Sequence, residues 1–200
     1  NVVGVGLKPH TFPSHFDVAS MAEGIKNHYV DIRNLAEIQK IVFQYQPDYV
    51  FHLAAQSLVA KSYQDPVRTW TVNLVGVVNI LDSLRMLKKR CDAIIITSDK
   101  CYENVEWVWG YRENDRLGGK DPYSASKGAA EIAVHSFVKT YFAADQSAVR
   151  VTSVRAGNVI GGGDWSENRI IPDCVKAWSK GETVSLRNPR ATRPWQHVLE

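Results

Sequence analysis

Ala93-Ile94-Ile95-Ile96-Thr97 is the segment that decides the fold class of this chain. A run of consecutive apolar residues is typical of a parallel strand that helices cover on both faces. Three further apolar runs predict strands at residues 28–30, 49–54 and 149–154. Between these runs, apolar residues at helical spacing predict helices over residues 35–45, 66–86 and 123–142. The alternation predicts an α/β fold with a doubly wound parallel sheet.

The regular alternation of predicted strands and helices ends after residue 160. Gly161-Gly162-Gly163 opens a loop, and a helix over 171–180 and a short strand over 184–186 are predicted beyond it. We therefore expect a Rossmann-like domain over residues 1–160 and the start of a substrate-binding region over 161–200. The apolar run at residues 2–7 has no Gly-rich phosphate loop before it. We expect an N-terminal truncation that removes the first strand and this loop.

Composition narrows the class of protein. The 200 residues are 44% hydrophobic and 22% charged, with a net charge of +3, which is ordinary for a globular protein. No apolar run approaches the ~20 residues that cross a bilayer, and no basic and aromatic pattern suggests nucleic acid. The three cysteines form no metal-ligand cluster and predict reduced thiols in the cytoplasm, at positions Cys91, Cys101 and Cys174.

Tyr123 and Lys127 stand four residues apart at the start of a predicted helix, so both project from one face. An ammonium group beside a phenol stabilises the phenolate and lowers the pKa of the phenol. Such a tyrosine can take a proton from a sugar hydroxyl as hydride leaves the same carbon. The alternative is a tyrosine that merely packs on a lysine stem. The preceding Asp121-Pro122 favours a helix entry at this point.

Four polar residues, Thr97-Ser98-Asp99-Lys100, directly follow the apolar residues 93–96 of the predicted strand. Ligands of parallel α/β sheets bind at the carboxyl ends of the strands, where these residues lie. A hydroxyl, a carboxylic acid and an amine suit a reaction that needs both a proton donor and a proton acceptor. An ordinary strand-to-loop transition is the alternative.

With these motifs the chain resembles the extended short-chain dehydrogenases, the NAD-dependent epimerase/dehydratase family. Within that family it is similar to the 4,6-dehydratases of CDP-glucose. The segments that carry the resemblance are Thr97-Ser98-Asp99-Lys100-Cys101-Tyr102, Trp107-Val108-Trp109-Gly110-Tyr111-Arg112-Glu113, Asp121-Pro122-Tyr123-Ser124-Ala125-Ser126-Lys127, His52-Leu53-Ala54-Ala55-Gln56, Asn73 and Arg155-Ala156-Gly157-Asn158-Val159-Ile160-Gly161.

The resemblance implies a redox-neutral dehydration in deoxysugar and surface polysaccharide synthesis. Tyr123, helped by Lys127 and Ser98, would deprotonate the 4-hydroxyl of glucose while hydride passes from C4 to NAD. Asp99 would protonate the departing C6 hydroxyl, and the hydride would return to C6. Where related dehydratases carry a glutamate, this chain has Lys100. That lysine is a candidate C5 base, an electrostatic aid or a structural residue.

The resemblance also implies binding residues. The cofactor-binding set comprises Asp31, Ile32, Leu53, Ala54, Ala55, Asn73 and Thr97, together with Tyr123 and Lys127. The substrate-binding set comprises Gln56, Asn158, Asn168 and Arg193. Asp31 has a second interpretation as a helix N-cap, and Arg193 as part of a solvated basic loop with Arg187 and Arg190. Trp107 and Trp109 either wall a sugar pocket or anchor a long loop. His52 is expected to be structural.

The family resemblance further implies a homodimer through the helices at 67–86 and 123–142. Packing within one chain explains the amphipathic pattern of these helices equally well. Two rival functions stay open. A nucleotide-sugar 4-epimerase keeps Tyr123 and Lys127 but needs no acid such as Asp99, and a truncated nucleotide-binding module would be inactive. Without its phosphate loop, we expect the isolated chain to bind NAD weakly.

Overall fold

The computed structural model describes residues 1–143, 147–186 and 188–200. The chain divides into two compact units. The central unit is Val30–Ala156, and the terminal unit combines Asn1–Tyr29 with Gly157–Glu200. The predicted boundary after residue 160 stays a prediction. Among the described residues, no helix has the length and apolar character needed to span a membrane.

The central unit contains a three-stranded parallel sheet in the order β3–β4–β5. Its strands are β3, Tyr49–His52; β4, Cys91–Ile96; and β5, Val149–Val154. Alternate residues of β4, namely Cys91, Ala93 and Ile95, are fully or almost fully buried. His52 is in register with Ile95, and Ile96 with Val154, so the strands end at one edge of the sheet. These parallel strands confirm the predicted α/β class.

The helices of the central unit connect its strands. They are α3, Leu35–Tyr45; α4, Val59–Gln64; α5, Pro66–Trp70; α6, Gly76–Arg85; and α7, Pro122–Tyr141. Helix α6 contacts both α3 and α7. The single helix predicted over 66–86 is α5 and α6 joined by a π-helical turn at Thr71–Val75. The fully buried apolar side chains in the core of this unit include Ile38, Leu81, Leu84, Ile95 and Val149.

Helix α7 begins one residue before its predicted start, and the loop that precedes it lies close to its first turn. Asp121 caps it, since its Oδ1 accepts the Ser124 backbone N–H at 3.0 Å and Pro122 occupies the first turn. A Cβ atom on Gly119 would lie 2.3 Å from the backbone N of Ala125. Only glycine therefore allows this loop to lie directly on the first turn of α7, beside the catalytic candidates.

In the terminal unit, the described residues form two parallel strand pairs and three helices. Its strands are β1, Val3–Gly6; β2, Lys26–Tyr29; β6, Asn158–Ile160; and β7, Trp195–His197. Strand β1 pairs with β2, and β6 with β7. Its helices are α1, His15–Val18; α2, Met21–Gly24; and α8, Ile170–Ser179. The strand predicted over 184–186 is wrong, because this short run has no ladder partner among the described residues and Leu186 is half exposed.

Candidate active site

The candidate active site lies at the carboxyl edge of the β3–β4–β5 sheet, where the first turns of α7 meet the loop after β4. Tyr123 and Lys127 are both buried on α7. The 3₁₀ turn Asp99–Cys101, which follows β4, packs against α7. The predicted tyrosine–lysine pair and the predicted Ser98-Asp99-Lys100 segment therefore belong to one region of the central unit.

Lys127 is held against the end of β4. Its Nζ donates a hydrogen bond to the carbonyl oxygen of Ile96 at 3.3 Å. Burial lowers the pKa of Lys127 from its ordinary value to about 8, while the negative charge of Glu131 opposes this shift. With a pKa of about 8, the amine is mostly charged at neutral pH. A charged amine one helical turn from Tyr123 is the arrangement that stabilises a phenolate.

Glu131, one turn further along α7, is buried and forms an ion pair with the partly buried Arg155. Its carboxylate accepts hydrogen bonds from Thr97 Oγ1, from Ser153 Oγ at 3.0 Å and from Arg155 Nη2 at 2.8 Å. Burial by itself would raise the pKa of Glu131, but these hydrogen bonds hold it below its usual value. Thr97, predicted as a cofactor residue, thus also helps to fix this carboxylate.

The residues after β4 form a compact hydrogen-bonded group. Ser98 Oγ accepts the Lys100 backbone N–H at 3.2 Å and donates to Asp99 Oδ1 at 3.0 Å. Lys100 Nζ lies 3.1 Å from the same carboxylate oxygen. The Asp99 backbone N–H is anchored on the carbonyl of Ala156 at 2.9 Å. Asp99 and Lys100 are partly exposed, so an acid and an amine reach solvent together beside the buried pair.

Gln56 and Asn73 connect the loop after β3 to α7. Asn73 Oδ1 accepts the Gln56 backbone N–H at 2.8 Å, and Asn73 Nδ2 donates to the Gln56 carbonyl at 3.0 Å and to Ser126 Oγ at 2.9 Å. Ser126 Oγ in turn donates to the carbonyl of Tyr123 at 2.7 Å. Asn73 lies in the π-helical turn, which places its side chain in this buried position. The chain of bonds fixes the backbone of Tyr123.

The predicted adenine-side residues Asp31 and Ile32 lie at the start of the central unit. Asp31 makes a bidentate ion pair with Arg33, with its Oδ2 2.6 Å from Arg33 Nη2, and this guanidinium lowers the pKa of the carboxyl. The N-cap of α3 is Asn34, whose Oδ1 accepts from the Glu37 N–H at 3.3 Å. The N-cap interpretation of Asp31 is therefore wrong.

The turn after β3 has no polar side chains at Leu53, Ala54 and Ala55, so a ligand there would contact its backbone groups. Leu53 is exposed, and Ala54 and Ala55 are half-buried with minimal side chains. His52, which precedes the turn, is buried, and burial and the charge of Lys127 lower its pKa to about 4. It is therefore neutral at neutral pH, in agreement with the structural role expected for it.

Three predicted substrate residues belong to the terminal unit. Asn158 begins β6, and its backbone N–H donates to the carbonyl of Pro194 at 2.8 Å. Asn168 adopts a left-handed backbone with φ 60°, which asparagine tolerates better than most residues. Arg193 is exposed, and its Nη1 donates to the carbonyl of Thr192 at 2.7 Å. Their substrate roles stay predictions, and Arg187 lies outside the described residues.

The two tryptophans of the long loop differ in their surroundings. Trp107 lies against Tyr111 with ring centroids 5.3 Å apart, and Tyr111 stacks on Tyr102 at 5.1 Å. Trp107 therefore belongs to an aromatic cluster that anchors the loop. Trp109 is largely exposed. A role of either tryptophan at a sugar pocket stays a prediction.

Sequence reasoning missed the role of Glu131 and Arg155. Arg155 was noted only as part of a family motif, and its contacts with α7 are invisible in the sequence. Glu131 had a usable signal, because it stands four residues after Lys127 and so on the same helix face. A carboxylate at that spacing from a buried lysine is a reason to expect an electrostatic partner.

A buried Tyr-x-x-x-Lys pair at the carboxyl edge of a parallel α/β sheet defines the class of the chain, which is that of the Rossmann-like short-chain dehydrogenases. The chain belongs to the GDP-mannose 4,6 dehydratase family, which it matches over residues 13–200. This confirms the predicted membership of the epimerase/dehydratase group.

Two relatives illustrate the range of the family. The chain is 44% identical to a CDP-glucose 4,6-dehydratase of Salmonella typhimurium, and the match covers 100% of this chain and 56% of that protein. It is 24% identical to a UDP-glucose 4-epimerase of Mycoplasma genitalium, over 88% of this chain and 55% of that one. The chain thus spans little more than half the length of these relatives.

The fold class is confirmed by a solved structure. A dTDP-glucose 4,6-dehydratase double mutant from Streptomyces venezuelae, with NAD and DAU bound, superposes with a TM-score of 0.80. The superposition covers 96% of this chain and 58% of that one, at 20% identity. At this identity the likeness concerns the fold.

Proposed function

We propose that the protein catalyses the NAD-dependent dehydration of a nucleotide hexose, CDP-glucose, to its 4-keto-6-deoxy form. The observation that carries this proposal is the pairing of a carboxyl group with a buried tyrosine–lysine pair. Asp99 lies in a turn that packs on α7, and Lys127 is bound to the strand end from which that turn departs. An epimerase needs only the tyrosine and the lysine.

The residues of the central unit fit a dinucleotide. The turn of Leu53, Ala54 and Ala55 brings accessible backbone with small side chains to the sheet edge, and Asp31 supplies a carboxylate before it. Asn73 holds that turn through Gln56, and Thr97 follows β4 at the same edge. When bound by these residues, NAD would supply the hydride acceptor for C4 of the sugar and the hydride donor for C6.

Tyr123 acts first in the proposed reaction. Its phenolate takes the proton of the 4-hydroxyl and becomes the phenol, and the ammonium of Lys127 stabilises that phenolate. Ser98, buried beside the acid, is proposed to orient the same hydroxyl. Because Lys127 is buried, its charge acts through a medium of lower dielectric than water and is more effective than a surface lysine.

The elimination step needs one acid and one base. The C4 ketone acidifies the proton on C5, and Asp99 protonates the C6 hydroxyl as it leaves as water. Lys100 is proposed as the C5 base. Its Nζ lies 3.1 Å from Asp99 Oδ1, so the proton that the ammonium must lose has an acceptor in that carboxylate, which thereby becomes the acid of this step. A purely electrostatic role of Lys100 is the alternative.

CDP-glucose is supported as the substrate by the 44% identity to a CDP-glucose 4,6-dehydratase. Gln56, Asn158, Asn168 and Arg193 are proposed to bind the sugar and the diphosphate, for which the planar guanidinium of an arginine is suited. A homodimer is proposed through the helices at 67–86 and 123–142, where large apolar side chains are exposed on α5, on the π-helical turn and on α7, namely Val67, Trp70, Val75 and Ile132. The cytoplasmic location stays a prediction.

Product analysis of the full-length protein with CDP-, dTDP- and GDP-hexoses tests the proposed function. We expect a product that is lighter than CDP-glucose by one water molecule, measured by mass spectrometry. A product of unchanged mass would identify an epimerase instead.

Replacing Lys100 by methionine tests the assignment of the C5 base. We expect the variant to exchange hydride between C4 and NAD while water elimination falls by about 10²–10⁴-fold, the usual contribution of a general base. The measurement compares isotope exchange at C4 with release of dehydrated product. Lys88→Met, at an exposed lysine after α6, is the matched control and should change neither rate. Equal loss of both rates would contradict the assignment.

A further inference from the structure

Glu131 is almost completely enclosed, with a side chain that is 4% exposed. Three donors from three segments converge on it: Thr97 after β4, Ser153 on β5 and Arg155 after β5. A carboxylate is rarely buried unless it is paired and hydrogen-bonded. Here every partner favours the ionised form, so a negative charge is fixed one helical turn beyond Lys127.

The groups around Lys127 come from several elements. Glu131 acts on it from its own helix, His52 from the end of β3 and Cys101 from the 3₁₀ turn. Burial lowers the pKa of His52 to about 4 and raises the pKa of the Cys101 thiol to about 11, so both are neutral at neutral pH. Tyr123 lies one turn before Lys127 on α7. Asp99 and Lys100 in the same 3₁₀ turn form an ion pair with each other at 3.1 Å, and Glu131 is the carboxylate that acts on Lys127.

Burial works against the ammonium form of Lys127, because a buried cation loses its hydration. Its Nζ donates to the Ile96 carbonyl at 3.3 Å, a neutral acceptor that offsets only part of this loss. An opposite charge one turn away supplies the compensation that a neutral carbonyl does not.

We propose that Glu131 is a positioning residue for the reaction proposed above, on which this inference rests: its carboxylate keeps the buried Lys127 in the ammonium form, and Arg155 keeps that carboxylate ionised and in place. Glu131 acts through Lys127 and touches no reacting atom.

Arg155 extends the arrangement to the long loop. Its Nη1 donates to Tyr102 Oη at 2.8 Å and to the carbonyl of Glu113 at 2.9 Å, and its guanidinium lies 4.9 Å from the centre of the Tyr102 ring. The side chain that neutralises Glu131 therefore also holds both ends of the loop at 102–113. The charge on Lys127 and the placement of this loop depend on one guanidinium.

The test follows the protonation of Lys127 in the full-length protein by NMR with lysine labelled with carbon-13 at Cε. Lys127→Met identifies the resonance by its loss. In the wild type we expect a titration midpoint near pH 8. In Glu131→Gln, which keeps the shape but removes the charge, we expect the midpoint to fall by about one pH unit or more. An unchanged midpoint would overturn the proposal.

A double variant guards against misfolding. Glu131→Gln alone leaves the partly buried Arg155 without its carboxylate partner, whereas Glu131→Gln with Arg155→Met removes both charges. We expect a downward shift of the Lys127 midpoint in the double variant too, smaller than in Glu131→Gln because a positive charge near Lys127 is also lost. A midpoint at or above the wild-type value in that variant would contradict the proposal, because it would show that the carboxylate affects Lys127 no more than the guanidinium with which it pairs.

The dependence of kcat on pH gives a second readout. Lys127 acts as the ammonium ion, so kcat falls as the pH rises through its pKa, and in the variants this basic limb should move to lower pH with the NMR midpoint. A limb that stays in place while the midpoint moves would overturn the link to the reaction. If the wild type releases no dehydrated product, the proposed function fails, whereas the NMR titration still decides the effect of Glu131 on Lys127.

Discussion

Tyr123→Phe lowers kcat for dehydration of CDP-glucose by about 10²–10⁴-fold, the usual contribution of a general acid–base group. The variant removes only the phenolic oxygen, and the buried ring still fills its place on α7. Without that oxygen, no group accepts the proton of the 4-hydroxyl as hydride leaves C4. We expect loss of the first step, visible as loss of cofactor reduction in a single turnover.

The control for this prediction is Tyr63→Phe, the same change at an exposed tyrosine on α4. It should leave kcat and the melting temperature unchanged. Tyr123→Phe should also keep the melting temperature within a few degrees, since no apolar contact is lost. If Tyr123→Phe reduces the cofactor at the wild-type rate, the oxidation of C4 starts from another base and the proposed site is wrong.

Asp99→Asn separates oxidation from elimination. Asparagine is almost isosteric with aspartate and still accepts hydrogen bonds from Ser98 Oγ and Lys100 Nζ, but it cannot protonate the leaving hydroxyl. We therefore expect C4 oxidation to survive and release of water to fall by about 10²–10⁴-fold. Reduced cofactor should accumulate in the variant, which its absorbance measures.

Asp48→Asn, at an exposed aspartate paired with Lys89 on the surface, is the matched control and should have wild-type activity. A variant at Asp99 that still eliminates water at the wild-type rate would place the acid elsewhere. The experiment also discriminates between the two enzyme classes, because an epimerase has no step for Asp99 to perform.

Local sequence was enough to predict the elements that position the site. Leu35–Tyr45 and Val149–Val154 have the predicted bounds, and α7 differs by one residue at each end. These segments carry strong local signals: helical periodicity, a capping aspartate before a proline, or a short apolar run. The tyrosine–lysine pair was predictable for the same reason, since a spacing of four on a helix fixes a shared face.

What the sequence did not reveal depends on contacts between distant segments. Asn73 and Ser126 are 53 residues apart, and their bond requires the π-helical turn that interrupts the predicted helix over 66–86. The pairing of Glu131 with Arg155 spans 24 residues and two elements. No local pattern encodes such bonds, because they exist only once α7 has packed on the sheet.

The most direct test of the central claim uses CDP-glucose that carries deuterium at C4, with the full-length wild-type protein and NAD. Because Tyr123 is proposed to start an oxidation at C4 whose hydride returns to C6, the product should have lost one water molecule and carry the deuterium at C6. Deuterium that stays at C4, or a product that keeps the mass of the substrate, would contradict the account.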